Sequence, residues 1–426
     1  MPRVFQFHHP GGERRACGDH LARVRSLQGV GVASGGFDGV TRRPRALLLA
    51  LVLLALAACT DPGAQAAGDG SPSPPAVLKI AYLENLAPEG AFERVVPAFY
   101  GAKLALDQAL ASGDLPVAVE VVPQDIGDPA RMADVLAEDA ADPTYIGAMV
   151  SPFWSEPRAV GERVSAAGIP TFSLSTVNPD AASSWRSWYA AVAPLQEQSA
   201  KVADWLGTSK TARDGVCVAT DGAGYGEEFA REVERTSSVD VVDRSTIPSM
   251  EAMPVSVMRG IRASGCGAVV YGGFGSDAGV IRIELDAAGL SHVHLVGSDA
   301  IQDHTFLELT GASGDGTVSS CSCVDLGASP SLSGQQFIHD YQSEYGTAPA
   351  SYAVEGWDVA RMFASVIRTG ARSRSSVADA IAARDSFEGL VHPYVFTGSG
   401  ALAPSARTVV LSEANGGRWL SVGSES

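Results

Sequence analysis

The sequence predicts an α/β protein of two lobes, each a parallel sheet with helices on both faces. Three observations carry this. From Val77 onward, short apolar runs alternate with amphipathic stretches at helical spacing. Past residue 192 the alternation restarts at a similar size. No Pro/Ser-rich linker separates the halves, so they read as lobes of one folded unit.

The elements follow in order. "VLKIAYL" is an apolar strand. "PAFYGAKLALDQALASG" is a helix closed at Gly113. "VAVEVVP" alternates as a strand, and Asp128-Pro129 caps the helix "DPARMADVLAEDAAD". The strand "YIGAMV", the helix "SEPRAVGERVSAAG" ending at Gly168, and the strand "IPTFSLS" complete the first set. Uninterrupted apolar strands of this length are those of a sheet covered on both faces. In the second set, "QEQSAKVADWLG", "GEEFAREVERTS", "AMPVSVMRGIRASG" and "SDAGVIRIELDAAGL" are helices. The strands between and after them are "GVCVAT", "VDVVDRSTIP", "CGAVVYGG" and "HVHLVGSD". Two more helices, "SLSGQQFIHDYQSEYG" and "YAVEGWDVARMFASVIRTG", precede a β segment, "YVFTGSGALAPSARTVVLS".

The chain has 426 residues, 46% of them hydrophobic and 19% charged, with a formal net charge of -17. That composition suits a folded chain and not a disordered polyelectrolyte. The acidic balance, without a Lys/Arg cluster outside the N-terminal region, argues against a nucleic-acid partner. Near the N-terminus, Arg42, Arg43 and Arg45 precede an apolar run from Ala46 to Ala58, then Cys59. The run is shorter than the roughly 20 residues of a spanning helix and fits a signal-peptide core. Leu56-Ala57-Ala58-Cys59 resembles a bacterial lipobox, which implies cleavage before Cys59 and a lipid on its thiol. The alternatives are a signal peptide cleaved without lipid or a buried hairpin helix. Residues 59–76 read as a lipid-anchored flexible tether. A signal peptide seldom lies so deep in a chain, so translation is expected to start at Val40, with residues 1–39 upstream of the true start. Up to Ala58 there are eight Arg and three acids, a charge of +5, so the mature chain carries -17 minus 5, or -22.

Of six cysteines, Cys217, Cys266, Cys321 and Cys323 belong to the mature domain, where disulfides are expected outside the cytoplasm. Cys217 and Cys266 begin strands expected to be neighbours, which favours that pair; the full connectivity stays open. No C-x-x-C occurs, and His292 and His294 share a strand face with no carboxylate or cysteine in step, so no metal is expected. No cofactor is expected either.

In its order of segments the chain resembles the extracytoplasmic ligand-binding proteins of the leucine/isoleucine/valine type. "AAGIPTFSLSTVNPD", "DGAGYGEEFAREV", "AVVYGGFGSDAG" and "FIHDYQSEYGTAPASYAVEGWDVARM" are similar to that family's segments and fall in the same sequence. The likeness covers about Leu78 to Val410. It implies the type I periplasmic-binding-protein fold: two Rossmann-like lobes joined by a three-crossover hinge, with ligand in the cleft. It further implies an ABC permease and ATPase as partners. The lobes are expected to comprise residues 77–192 plus 325–390 and 193–324 plus 391–426, and the chain is expected to act as a monomer.

In open α/β sheets ligands sit beyond the carboxyl ends of the strands, so each strand–helix junction offers a candidate. Ser151 matches the family's first ligand hydroxyl; otherwise it caps the next helix. Ser175, Thr176 and Val177 occupy the next junction, where the family has a ligand carbonyl and then a threonine. Val177 stands at the threonine position and cannot hydrogen-bond through its side chain. Otherwise the hydroxyls hold a polar turn before Pro179. Tyr225 matches a cleft tyrosine, and Phe274 stands where the family has tyrosine. "DGAGYG" has a nucleotide-loop look, but Glu227 replaces the last glycine and no lysine follows. Asp299 stands where the family has an acid facing the ligand ammonium; otherwise it caps the next short helix. Phe92 and Tyr352 match aromatic walls, or are core. Bulky Phe153 and Trp154 follow Ser151 where the family has small residues, and Trp154 is expected either to stack on an aromatic or apolar ligand or to fill the cleft.

Together these readings imply a lipid-anchored protein at the extracytoplasmic face, capturing an amino acid, amide or related polar metabolite for an ABC importer. An enzyme lacks support, since the sequence holds no G-x-S-x-G, H-E-x-x-H or P-loop. A ligand sensor signalling to a membrane receptor on the same fold stays open.

Overall fold

The structure, a computed structural model, describes residues 77–84, 91–153, 157–175, 184–222, 224–247, 255–326 and 331–422. The leader, the tether and Cys59 lie outside the described residues.

Twelve strands form two sheets. The first contains β1 (Leu78–Glu84), β2 (Val119–Asp125), β3 (Tyr145–Val150), β4 (Thr171–Ser173) and β5 (Trp188–Ala190), in the order β2-β1-β3-β4-β5. All of its pairings are parallel. The second contains β6 (Val216–Thr220), β7 (Val241–Thr246), β8 (Ala268–Gly272), β9 (His294–Gly297) and β10 (Val318–Cys321). Two antiparallel strands, β11 (Val410–Asn415) and β12 (Arg418–Ser421), extend its edge. Its order is β12-β11-β10-β9-β8-β6-β7.

Both faces of each sheet are covered, as the apolar runs require. Helices α1 (Ala91–Ala111) and α10 (Ala353–Arg368) pack on one face of the first sheet through residues such as Ala102, Leu106 and Phe363. Helices α2 (Pro129–Ala141) and α3 (Pro157–Ala166) cover the other through Met132, Leu136, Val160 and Val164. On the second sheet, α4 (Leu195–Thr208) and α5 (Gly224–Thr236) cover one face. On the opposite face lie α6 (Val255–Ser264), α7 (Gly275–Ala287) and α8 (His304–Thr310). Helices α9 (Leu332–Tyr345) and α11 (Arg374–Ala382) add to the first core. Strand β7 has the least covered side chains, consistent with its place at the sheet edge.

The chain crosses between sheets three times: after β5, after β10, and before β11. The third crossing corrects the expected lobe boundary. Residues 391–406 do not join the second sheet. Bridges Phe387–Tyr394 and Phe396–Leu402 fold the segment on itself, and the amide of Ala190 donates to the Gly400 carbonyl at 2.8 Å. Phe396 packs on Phe172 and Tyr189, so aromatic burial holds the segment on the first core. The crossing therefore falls between Arg407 and Val410.

Helices α1 and α10 touch backbone to backbone. A Cβ on Gly356 would sit 2.0 Å from the Ala98 carbonyl oxygen, and one on Gly101 would sit 2.0 Å from that of Ala353. Helix propensity alone makes Gly356→Ala stabilising by about 1 kcal/mol. The clash reverses the sign. We expect a net loss of roughly 2 kcal/mol, read as a lower urea midpoint at unchanged slope. An unchanged midpoint would show that the helices separate without cost.

Candidate functional site

Each sheet carries the strand order second-first-third-fourth-fifth, so each has a switch point beside its first strand. In the first sheet this is the carboxyl end of β1 and β3. Ser151 follows β3 directly; its amide donates to the Leu83 carbonyl at 2.9 Å. Its hydroxyl is buried without a hydrogen-bond partner among the described residues. Phe153, two residues on, has a left-handed backbone with φ 66°.

At the β4 junction the hydroxyls have local work. Ser173 Oγ donates to the Ser175 carbonyl at 3.0 Å and receives the Ser175 amide at 3.3 Å. Thr171 Oγ1 donates to the Ile169 carbonyl at 2.8 Å. Ser175 itself is buried. Trp154, Thr176 and Val177 lie outside the described residues. Phe92 is placed on α1, with its side chain outside them as well.

In the second sheet, β6 leads into α5 through the "DGAGYG" run. A Cβ on Gly226 would meet the Gly272 carbonyl carbon at 2.5 Å, and one on Gly272 would meet the Gly226 oxygen at 2.0 Å. The glycines thus serve a close helix–strand approach, which lays Tyr225 over the strand ends. Tyr225 is buried with Phe153 and Phe274 against one apolar cluster. Phe274 stands at the N-cap of α7 and is half-buried.

These junctions converge on Asp299, which follows β9 and is 2% exposed. Ser298 takes the N-cap position of the short helix Asp299–Ile301, its hydroxyl accepting from the Ala300 amide. Asp299 is left to receive side chains. Tyr225 OH donates to its Oδ1 at 2.5 Å, and Gln198 Nε2 to the same oxygen at 2.9 Å. Tyr352 OH donates to Oδ2. Gln198 is held in turn, its Nε2 donating to the Ser320 carbonyl and its Oε1 accepting from Ser322 Oγ at 3.3 Å. Tyr352 belongs to the first core, so its hydroxyl reaches across the lobes. Phe153 bridges them too, its ring edge-on to Tyr352 at 5.5 Å and to Tyr225 at 6.2 Å.

Burial pushes the Asp299 carboxyl pKa up, and the bonds from Tyr225, Tyr352 and Gln198 offset part of this. None of these three donors carries a charge. Tyr352 also has left-handed φ, 69°, at the N-cap of α10. Among the described residues only Phe153, Ser187 and Tyr352 combine a side chain with positive φ. Two of the three face each other here. Such strain persists only where surroundings enforce it, and it marks sites with a task.

The structure therefore brings Tyr225, Asp299 and Tyr352 together, with Phe274 packed beside them. Gln198, Ser322 and the wedge role of Phe153 are additions. A glutamine on the apolar side of "QEQSAKVADWLG" is the signal that was present for Gln198. The His294 ring lies tilted against that of Trp205 at 6.0 Å, and His292 is exposed.

Other buried carboxyls titrate unusually. Burial is the largest cause in each case: Glu84 rises to about 7, Asp139 to about 6, Asp358 to about 7 and Glu355 to about 8. An acid whose folded pKa is raised lends stability below its unfolded value and loses it as pH rises through the folded one. Asp142 runs the other way, held down to about 2 by Thr144 and Lys79, and loses its contribution only in stronger acid. The Tm should be highest near pH 4, at about the ordinary carboxyl values of 3.8 and 4.5, and fall from there to pH 8.5. A flat calorimetric Tm profile across pH 5–8.5 would contradict these assignments.

Two sheets with this order, joined by three crossings, define a type I periplasmic-binding fold. The sequence pattern of the periplasmic binding protein family matches residues 78–417, and the chain belongs to that family. No curated protein matches the sequence. Solved structures share the fold. One is the branched-chain amino acid transporter substrate-binding protein LivJ of Streptococcus pneumoniae with isoleucine. It is 18% identical, with TM-score 0.72, over 82% of this chain and 99% of that one. The leucine-binding protein LivK of Thermotoga maritima is 17% identical, with TM-score 0.70, over 82% and 98%. A solute-binding protein of R. palustris in complex with benzoate is 17% identical, with TM-score 0.67, over 82% and 96%. Among the described residues, no helix is long and apolar enough to cross a membrane.

Proposed function

We propose that this chain is a lipid-anchored solute-binding protein at the extracytoplasmic face of the membrane. It captures a small polar metabolite in its interlobe cleft and delivers it to an ABC permease. The observation that carries the reading is Asp299, a buried carboxylate where the two lobes meet, bonded among the described residues by the neutral donors Tyr225, Tyr352 and Gln198. A buried charge is costly until a counter-charge reaches it, so the site favours a solute with an ammonium group. On the first-lobe side, the Ser151 hydroxyl is buried without a partner among the described residues, and Phe153, Tyr225 and Tyr352 give aromatic walls. Lobe closure over the solute, driven by these contacts, then presents the docking face to the permease. The structural neighbours bind isoleucine and benzoate, and their likeness supports a small-molecule cleft without fixing the solute.

Native mass spectrometry of the protein as purified, followed by a thermal-shift screen of amino acids, amides and polyamines, tests the reading. A solute at 100 times its Kd adds about 2.7 kcal/mol of stability. No bound solute and no shift across the screen would overturn it. A diacylglyceryl mass on a peptide beginning at Cys59 checks the anchor; its absence from membrane-derived protein would remove that part.

A further inference from the structure

The three crossings enclose a second feature. A small cavity of about 10 Å³ is lined by Ala193 from the first crossing, Ser322 and Val324 from the second, and Thr408 from the third. Glu355, from the first turn of α10, and His392 also line it. Glu355 is 1% exposed. Its Oε1 accepts the Val324 amide at 2.5 Å, while Oε2 is buried with no partner among the described residues. No lysine or arginine is among the described residues lining the cavity.

We infer that this hinge cavity is a second binding site, separate from the cleft, for a small ammonium-type cation held by Glu355. The size sets the class, because a cavity of about 10 Å³ holds roughly one water-sized species, and ammonium is of that size. A water molecule would satisfy the orphan oxygen and leave the buried charge uncompensated. An N–H cation satisfies both. Ser322 links the cavity to the cleft, since its hydroxyl donates to Gln198, which donates to Asp299. Glu355 also lies one helical turn beyond Tyr352. Occupancy at the hinge is thereby coupled to the position of the groups that face the solute.

The proton competes for the same oxygen. The carboxyl is raised to about 8, mainly by burial, with Asp358 adding to the rise and the amide of Val324 opposing it. Tyr394, from the 387–406 segment, lines the cavity and donates to Asp358 at 3.1 Å. Arg361 faces Asp358 from the same helix. Ammonium affinity should therefore fall as pH drops below 8.

The test uses the mature protein at pH 8.5 with ammonium, sodium or tetramethylammonium chloride at equal ionic strength. Ammonium alone should raise the Tm, by about 3 °C near saturation. The shift should persist in Asp299→Asn, which disables the cleft, and vanish in Glu355→Gln. Equal shifts with all three salts, or an ammonium shift retained in Glu355→Gln, would overturn the inference. Should Glu355→Gln fail to fold, ¹⁵N-filtered proton spectra of the wild type with ¹⁵N-ammonium decide. A slowly exchanging bound ammonium signal supports the site, and its absence overturns it. Loss of the effect in Asp299→Asn alone would mean that ammonium binds in the cleft, which supports the proposed function and overturns this inference.

Discussion

Asp299→Ala weakens binding of the solute returned by the thermal screen by roughly 30- to 5000-fold. That range corresponds to the 2–5 kcal/mol lost when one partner of a buried charge pair is removed. The substitution also strands three donors, Tyr225, Tyr352 and Gln198, around a vacant acceptor. Tyr352→Phe provides the graded control. It removes a single hydrogen bond to a charged group, about 1.5–3 kcal/mol, and keeps the ring against Phe153. Binding should also weaken in acid, because a proton and a solute ammonium compete for one carboxylate whose pKa is already raised. Calorimetric affinity that is unchanged in Asp299→Ala would remove this residue from the site.

The second large effect concerns stability. The structure joins Cys217 to Cys266, with Cα atoms 5.8 Å apart and a sequence separation of 49. It also joins Cys321 to Cys323, separated by two. Loop-closure entropy makes the first worth about 4 kcal/mol and the second less than about half of that. The double replacement Cys217→Ser and Cys266→Ser should lower the unfolding free energy by that larger amount in urea. The matching pair at 321 and 323 should lower it far less. Equal losses would show that chain entropy does not govern either bond.

The fold was legible because its strands are apolar throughout. "YIGAMV" is buried at all six positions of β3, and "VCVAT" at all five of β6. Their lengths and the helices between them leave little choice but parallel sheets. The segment 391–406 was misplaced because its partners are distant in sequence: Phe396 meets Phe172 and Tyr189. No local period records such a contact. The site was partly legible. Tyr225 and Asp299 stand at strand–helix junctions, Tyr352 stands at the start of α10, all three match family positions, and the structure gathers them. Gln198 reads locally as one polar residue among several on an amphipathic helix. Phe153 reads as bulky, but a left-handed backbone at a phenylalanine leaves no mark in the sequence. Glu355 looks like an ordinary acid near a helix start; its burial depends on all three crossings.

The repeated strand order has a consequence for how the cleft divides its labour. Each sheet is one copy of the same plan, and the two switch points are equivalent positions on a repeated frame. The side chains on that frame are not equivalent. The first copy holds the Ser151 hydroxyl, without a partner among the described residues, and the Phe153 wedge; the second holds the Asp299 carboxyl. A symmetric solute would waste one half of such a cleft. The solute that matches it is polarised, with a cationic end and an uncharged or anionic end held at a fixed distance. On the proposed function, a captured molecule would have one orientation and would reach the permease the same way round each time.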